Sequence, residues 1–160
     1  MKKDNLNKFE NREIENFFGK MMDENRRCKE NMNLLMDPQP LGCNSDGSIT
    51  RVRFVGMDWE KNQRGQIHGG AIAAMFDTAM GISASAFTKK DVSTAELTVS
   101  FIRPFYGAGY IIDTEILSAG RTLIRARANA YDEDTGKLLA SATGSFAYLY
   151  YAGSAADAHK

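Results

Sequence analysis

The chain has 160 residues, 43% of them hydrophobic and 25% charged, which is enough for one globular domain with a hydrophobic core. Twenty basic and twenty acidic side chains give a formal net charge of +0, which argues against nucleic acid or an anionic membrane as a partner. A nearly neutral chain also permits association between copies of itself.

The N-terminal part of the chain is predicted to be helical. Residues 9–36 contain no proline, and their apolar side chains recur at helical spacing. The two apolar sets are Ile14, Phe17, Phe18, Met21 and Met22, and then Met32, Leu35 and Met36. The segment "DPQP" ends this region because proline disfavours helical backbone at the preceding residue, and "CNSDGS" is typical of a turn. We therefore predict a helical extension over 1–40, a main domain over 41–151 and a mobile polar tail over 152–160.

No targeting or membrane segment is recognised in the sequence. The charged N-terminus lacks the apolar core of a signal peptide, and no stretch reaches the roughly 18 uninterrupted apolar residues of a membrane span. The two cysteines, Cys28 and Cys43, lack the spacing and the histidine neighbours of a zinc site, and so few thiols suit a reducing compartment. We expect a cytoplasmic protein that holds no metal.

From Ile49 onward the pattern changes from helical to mainly alternating. The segment "ITRVRFVGM" predicts a strand with Val52 and Phe54 on one face, and residues 69–87 are predicted to form one long apolar helix. Four further strands are predicted in "STAELTVSFIRP", "GYIIDTEILSAG", "RTLIRARANAYD" and "LLASATGSFAYLYY".

The faces of the late strands indicate how sheet and helix meet. In the first of them, alternation places one set of side chains opposite another: Ala95, Leu97, Val99 and Phe101 against Thr94, Glu96, Thr98 and Ser100. In the last two strands the inward positions are small: Ala126, Ala128, Ala130, Ala140, Ala142 and Gly144. Small side chains let a helix approach closely, so we predict an α+β fold in which a curved antiparallel sheet wraps around the central helix.

Asp77 is the first candidate for chemistry, because it lies in the middle of this apolar helix. An aspartate is rarely buried without a partner, since an unpaired carboxylate is costly to remove from water. Two interpretations are open: a functional acid, or a structural residue that lies on a thin polar stripe with Thr78 or caps a neighbouring segment.

The His-Gly-Gly step at residues 68–70 is the second candidate. Glycines at a helix start leave backbone N–H groups accessible, and such an amide can stabilise an oxyanion. Gly69 and Asp77 are eight residues apart, or about 12 Å along one helix, which is too far for both to act on one carbonyl. Two copies of the helix packed antiparallel would solve this, so the spacing favours a site shared between subunits.

His68 is either a general base or a helix-start residue whose ring bonds the backbone. No serine or cysteine forms a triad signature with it, and GxSxG, Walker, GxGxxG and metal-ligand patterns are all missing from the sequence.

Several of these segments together resemble a known family. The stretch "NQRGQIHGGAIAAMFDTAMG", followed by "STAELTVSFIRPF", "AGRT" and "GKLLASATGSF", resembles the hotdog-fold acyl-CoA thioesterases, and most closely the PaaI-type branch related to the hydroxybenzoyl-CoA thioesterases. The resemblance spans about residues 48 to 150. It implies the hotdog fold, a homodimer or homotetramer with active sites at the dimer interface, and hydrolysis of an acyl-CoA to free acid and coenzyme A.

The resemblance also implies site roles. Asp77 falls on the nucleophile or general base, and the Gly69 amide on the group that polarises the thioester carbonyl. Asn62 falls on a residue that places water or the thioester, and Thr94 on a hydroxyl that assists the water. Asp77 and Thr94 would come from one subunit, and Asn62 and Gly69 from the other. His68 is included among the catalytic candidates.

Coenzyme A enters this interpretation as part of the substrate, and no separate cofactor is expected. Arg103 and Arg121 match positions where relatives often carry a basic residue near the coenzyme A phosphates, and Gly70 is a further candidate for this binding. The alternative is that both arginines are solvated loop charges. The long N-terminal segment exceeds the minimal hotdog unit, so it leaves the acyl specificity open.

Three other functions stay open beside hydrolysis. A non-catalytic acyl-CoA sensor would not need Asp77. A hotdog hydratase or dehydratase generally pairs a catalytic histidine with an acid in another arrangement, whereas here nine residues separate His68 from Asp77. A purely structural oligomer would leave Asn62 and Asp77 unexplained.

Overall fold

The computed structural model describes residues 6–27 and 31–149. The helices are α1 (Arg12–Arg27), α2 (Met32–Met36) and α3 (Gly69–Thr88), with a short 3-10 turn at Asp58–Glu60. The strands are β1 (Gln39–Cys43), β2 (Ile49–Val55), β3 (Val92–Phe101), β4 (Gly109–Ala119), β5 (Leu123–Asp132) and β6 (Leu138–Tyr148). The expected tail and Cys28 lie outside the described residues, and the division into segments 1–40, 41–151 and 152–160 stays a prediction.

All six strands form one antiparallel sheet in the order β1-β2-β4-β5-β6-β3, and α3 packs across its inner face. The predicted α+β hotdog architecture is confirmed. The small residues predicted to face inward, such as Ala128 and Ala140, are buried against the helix. At Gly144 an added Cβ would lie 3.1 Å from the Met80 side chain, so this close packing depends on the absence of side-chain volume.

The edge strand β1 was not expected, because "DPQP" predicted only the end of a helix. Asp37 does end α2 in left-handed backbone with φ 43°, and the chain then enters β1 directly. Pro40 lacks an N–H group, which an edge strand tolerates, and the pairing with β2 shifts register between Pro40 and Gly42. The sheet therefore begins inside the segment assigned to the helical extension.

A bulge in β3 corrects the predicted faces of that strand. Thr94 pairs with Phe146 and Glu96 pairs with Ser145, so Ala95 is an extra residue without a partner of its own. Strict alternation would place Thr94 opposite Leu97, whereas the bulge puts both on the inner face. Ala95 is exposed, although alternation placed it on the same face as Leu97. The bulge is thus what turns the Thr94 hydroxyl towards α3.

The N-terminal helices pack over α3. Ile14 and Phe18 of α1 are buried, as their helical spacing predicted, and Met36 of α2 is buried as well. Met32 and Leu35 are exposed, so α2 presents only part of its predicted apolar set to the core.

Two contacts fix the direction of α1 and α2 relative to α3. Lys89, just after α3, forms an ion pair with Glu13 near the start of α1. The Thr78 hydroxyl in the middle of α3 donates to Asn33 Oδ1 of α2 at 2.9 Å. The chain from α1 to α2 therefore runs antiparallel to α3.

Helix α3 is long and apolar enough to cross a membrane by length and composition alone, although the sequence contains no uninterrupted apolar run of that length. In this fold, 61% of an 18-residue stretch of this helix is buried, and the sheet and α1 pack against it. The central helix of a packed domain meets the same criteria, because it is apolar on nearly every face.

Candidate functional site

The first half of the candidate site lies in the middle of α3. Asp77 is half-buried, and one of its carboxylate oxygens accepts a hydrogen bond from the Thr94 hydroxyl at 2.5 Å. In the described part of the chain no cation lies within ion-pair distance of Asp77. Thr78 bonds Asn33 instead, so Asp77 and Thr78 do not form a joint polar pair.

A cavity of about 210 Å³ opens beside Asp77 and Thr94. Helix α3 and strands β3 and β6 form most of it, and the N-terminal helices contribute Met21 and Asn33. These two residues were missed by sequence reasoning as site residues, because only the packing of α1 and α2 brings them to α3. The carboxylate therefore lies at a pocket and not in the closed core.

The second half of the site is the N-terminus of α3. The His68 ring caps the helix, with Nδ1 accepting from the Gly70 N–H at 2.9 Å. This is the structural alternative considered for His68, and it engages the Gly70 amide that was a candidate for coenzyme A binding. The Gly69 N–H has no acceptor within residues 6–27 and 31–149, and it lies at the positive end of the helix dipole. Gly69 is thus the amide that is available to a ligand.

The loop before α3 brings Asn62 to the same place. Its Oδ1 accepts from the backbone N–H groups of Arg64 at 2.8 Å and Gln66 at 3.4 Å, which stabilises the turn. The side-chain nitrogen of Asn62 is left as the donor for a ligand. Asn62, Gly69 and Arg103 line one cavity of about 350 Å³.

Glu60 holds the loop before α3 in place through hydrogen bonds, and it was not identified as a site residue from the sequence. Its carbonyl oxygen accepts from His68 N–H at 2.7 Å, and its Oε2 accepts from Met57 N–H at 2.7 Å. The side chain is buried, and Oε1 has no partner within the described residues. Burial without a cation raises the pKa of Glu60 above its ordinary value. The polar segment "DWEKN" contains no pattern from which the burial of Glu60 or its hydrogen bonds could be predicted.

The two halves open into separate cavities within one chain, and no described residue lines both. They stand about 12 Å apart along α3, since Gly69 and Asp77 are separated by eight residues. Among the described residues, Asp77 therefore lies with Thr94 and Gly69 lies with Asn62, and the two pairs line different cavities of the subunit.

The two arginine candidates lie at opposite ends of the sheet. Arg103 follows β3, donates to the Leu138 carbonyl oxygen at 2.6 Å and lies beside Gly69. Arg121 lies in the turn between β4 and β5, next to the strand ends that pair near Ala147. A ten-residue strand such as β3 spans about 33 Å, so one chain does not place both arginines at one ligand. Within the described residues there is also no cluster of three or more potential metal-binding side chains.

Comparison with known proteins finds similarity to thioesterases. Residues 64–139 match the family model described as "Thioesterase superfamily". A curated relative from Saccharolobus solfataricus, named "Putative esterase SSO1253", is 26% identical and covers 58% of this chain and 73% of its own length. The PaaI protein of the Escherichia coli phenylacetic acid degradation operon has a TM-score of 0.74 at 12% identity, with 87% of this chain and 95% of that chain covered.

A third solved structure carries a ligand. The protein smu.793 from Streptococcus mutans, bound to acetyl CoA, has a TM-score of 0.64 at 18% identity, with 76% of this chain and 90% of that chain covered. At these identities the structural similarity shows the fold, and the family-model match shows a sequence similarity to thioesterases over residues 64–139. The matched residues include the His-Gly-Gly step, Asp77 and Thr94. Residues 64–139 therefore match the thioesterase superfamily, and the chain shares the hotdog fold of these structural neighbours.

Proposed function

We propose that this protein hydrolyses acyl-CoA thioesters at sites formed between two copies of the chain. The observation that carries the proposal is the separation of the half-sites. An acid with a hydroxyl partner opens into one cavity, and an unpaired helix-start amide opens into another. Both kinds of group are needed for acyl transfer from a thioester.

The chemistry follows from these groups. The partner subunit's Gly69 N–H donates to the thioester carbonyl oxygen and stabilises the negative charge that develops there. The Asp77 carboxylate either attacks the carbonyl carbon, giving a mixed anhydride that water cleaves, or takes a proton from the attacking water. In both routes one water is consumed, the carbon–sulfur bond breaks, and the products are the free acid and the coenzyme A thiol. Thr94 holds the carboxylate in position through its 2.5 Å hydrogen bond.

The surface around the Gly69 half supports a second copy as the partner. Phe101 and Tyr106 lie near this half and are 56% and 65% exposed, and β3 forms an edge of the sheet. Exposed aromatic side chains and a ten-residue edge strand are liabilities unless another chain covers them. We propose a homodimer through this face, and a homotetramer as its further assembly.

Coenzyme A as the carrier of the acyl group is supported by the acetyl CoA in the streptococcal structure of the same fold. Arg103 lies beside the Gly69 half, where a guanidinium can pair with a phosphate of the ligand. The same ligand would suit a non-catalytic sensor, but binding does not require Asp77 and its hydroxyl partner. A cytoplasmic location stays an expectation.

Subunit complementation tests the shared site. We expect Asp77→Asn and Gly69→Pro to be inactive alone with acyl-CoA substrates, when free thiol release is measured. After the two are mixed, unfolded together and refolded, half of the dimers contain one chain of each kind. Each mixed dimer has one intact site, so about a quarter of the original activity should return. If the mixture stays inactive while mixed dimers are detected by mass, the two halves do not act together.

A further inference from the structure

We infer that Met21 of the N-terminal helix α1 sets the upper length of the acyl group that the site accepts; this rests on the proposed function. Met21 and Asp77 line the same cavity, although they are 56 residues apart in sequence. The inference concerns a wall of the pocket and not the reacting groups.

The cavity extends from the reacting groups along α3. Asp77 and Thr94 define the reactive end, and the cavity then follows α3 through Gly81 and Ile82 to Ser85. Its apolar lining from the sheet is Val92 and Phe146. Coenzyme A is too large and too polar for this space, so the acyl group enters it and the carrier stays outside. A volume of about 210 Å³ exceeds the roughly 150 Å³ of a cavity that takes up benzene, so an acyl group of modest size fits.

The direction of α1 places Met21 along this path. Glu13 contacts Lys89 at the end of α3, and α1 runs antiparallel to α3. Met21 is eight residues after Glu13, and Gly81 is eight residues before Lys89. Met21 is therefore expected at the level of Gly81, about one helical turn beyond Asp77. An acyl chain that leaves the reactive end meets the methionine side chain there.

Methionine is suited to be such a wall, because its unbranched side chain fills irregular gaps and adapts to what lies against it. Met21 is only half-buried and packs at the margin of the core, whereas Ile14 and Phe18 of the same helix are within it. Shortening Met21 therefore lengthens the cavity more than it disturbs the core. Met21 also lies outside the residues that match the family model, so selection by size would come from a part of the chain that the match does not include.

The test is a panel of straight-chain acyl-CoAs, from acetyl to palmitoyl, with kcat/KM measured for each. Met21→Ala should shift the optimum to longer chains and raise kcat/KM about tenfold or more for the next longer substrates, since one methylene in an apolar pocket is worth at least this much. Met21→Trp should shift the optimum to shorter chains. Circular dichroism and thermal unfolding show whether both variants fold, and the ratio of kcat/KM between long and short substrates is compared within each variant.

The matched control is Met22→Ala, the same substitution at the next residue, which does not line this cavity. It should leave the chain-length profile unchanged. Each Met21 substitution is also combined with Asp77→Asn, and the Kd of every acyl-CoA is measured. This tests the pocket even without turnover. Parallel profiles for Met21→Ala, Met21→Trp and the unsubstituted protein would overturn the inference. Length-dependent binding without hydrolysis would instead overturn the proposed activity and leave the role of Met21 supported.

Discussion

The two half-sites on α3 are built from different kinds of atoms. At the helix start, the proposed oxyanion donor is the backbone N–H of Gly69, and the loop before it is held by backbone groups of Glu60 and Asn62. In the middle of the helix, the site consists of two side chains, Asp77 and Thr94, joined across α3 and β3.

This difference determines how each half fails. A backbone donor survives most substitutions and is lost only when the N–H itself is removed. A side-chain pair is lost when either member changes, and its geometry depends on the elements that carry it. The predictions below therefore separate the two halves by the type of change that each tolerates.

The largest effect is expected from Asp77→Asn. The amide has the same shape but can neither attack the carbonyl nor accept a proton, so kcat should fall about 10²–10⁴-fold. Steady-state hydrolysis of the best acyl-CoA substrate measures this. Asp91→Asn is the matched control, since Asp91 is an exposed aspartate in the turn after α3. Equal activity of the two variants would remove Asp77 from the mechanism.

At the start of α3, two substitutions of Gly69 separate the loss of the N–H group from the effect of added side-chain volume. Gly69→Pro replaces the N–H by a ring methylene and keeps the helix, because proline is accommodated at the first position of a helix and His68 has the extended backbone, ψ 140°, that precedes proline. Gly69→Ala retains the N–H, and its Cβ would lie 3.5 Å from the Phe101 ring, an ordinary contact. We expect a loss of about 10²–10³ in kcat for the proline variant and little change for alanine. Circular dichroism checks that both fold, and similar losses in both would point to sterics instead of the amide.

Thr94 is expected to have a smaller effect. Thr94→Val keeps the shape of the side chain and removes the hydrogen bond to Asp77, which as a bond to a charged group is worth about 1.5–3 kcal/mol. We expect kcat to fall about tenfold or more, with KM nearly unchanged, while Thr94→Ser retains the hydroxyl and most of the activity. A change confined to KM would instead place Thr94 in ground-state binding.

The smallest effect is expected from Glu60, which supports the loop of the Asn62–Gly69 half, and it concerns the stability of the folded protein. Burial raises the pKa of Glu60, so the folded protein binds this proton more tightly than the unfolded chain. The resulting stabilisation is complete below the ordinary value of 4.5 and is lost as the pH rises through the raised pKa. Glu60→Gln stays neutral, so its Tm should gain a few degrees over the unsubstituted protein between mildly acidic and neutral pH. A Tm difference that does not change with pH would contradict this.

Much of the fold could be predicted from the sequence, because it depends on periodicity. The 3.6-residue period of α1, the long apolar run of α3, the alternation in β2, β5 and β6, and the small inward residues such as Ala128 all reflect local geometry. The edge strand β1 escaped prediction because Pro40 is a weak strand former that only an edge position permits. The register of β3 escaped as well, since nothing in "STAELTVSF" marks Ala95 as the bulged residue.

The sequence by itself determined the candidates for the proposed chemistry: an acid in an apolar helix, and two glycines at the start of that helix, too far from the acid to meet it on one chain. Only the tertiary structure decided how they are presented. The bulge at Ala95 turns Thr94 towards Asp77, and the packing of α1 and α2 adds Met21 and Asn33 to the lining of the cavity. The reason is physical. The periods of helices and strands depend on residues that are close in sequence, whereas a bulge and a pocket wall depend on contacts between residues distant in the chain.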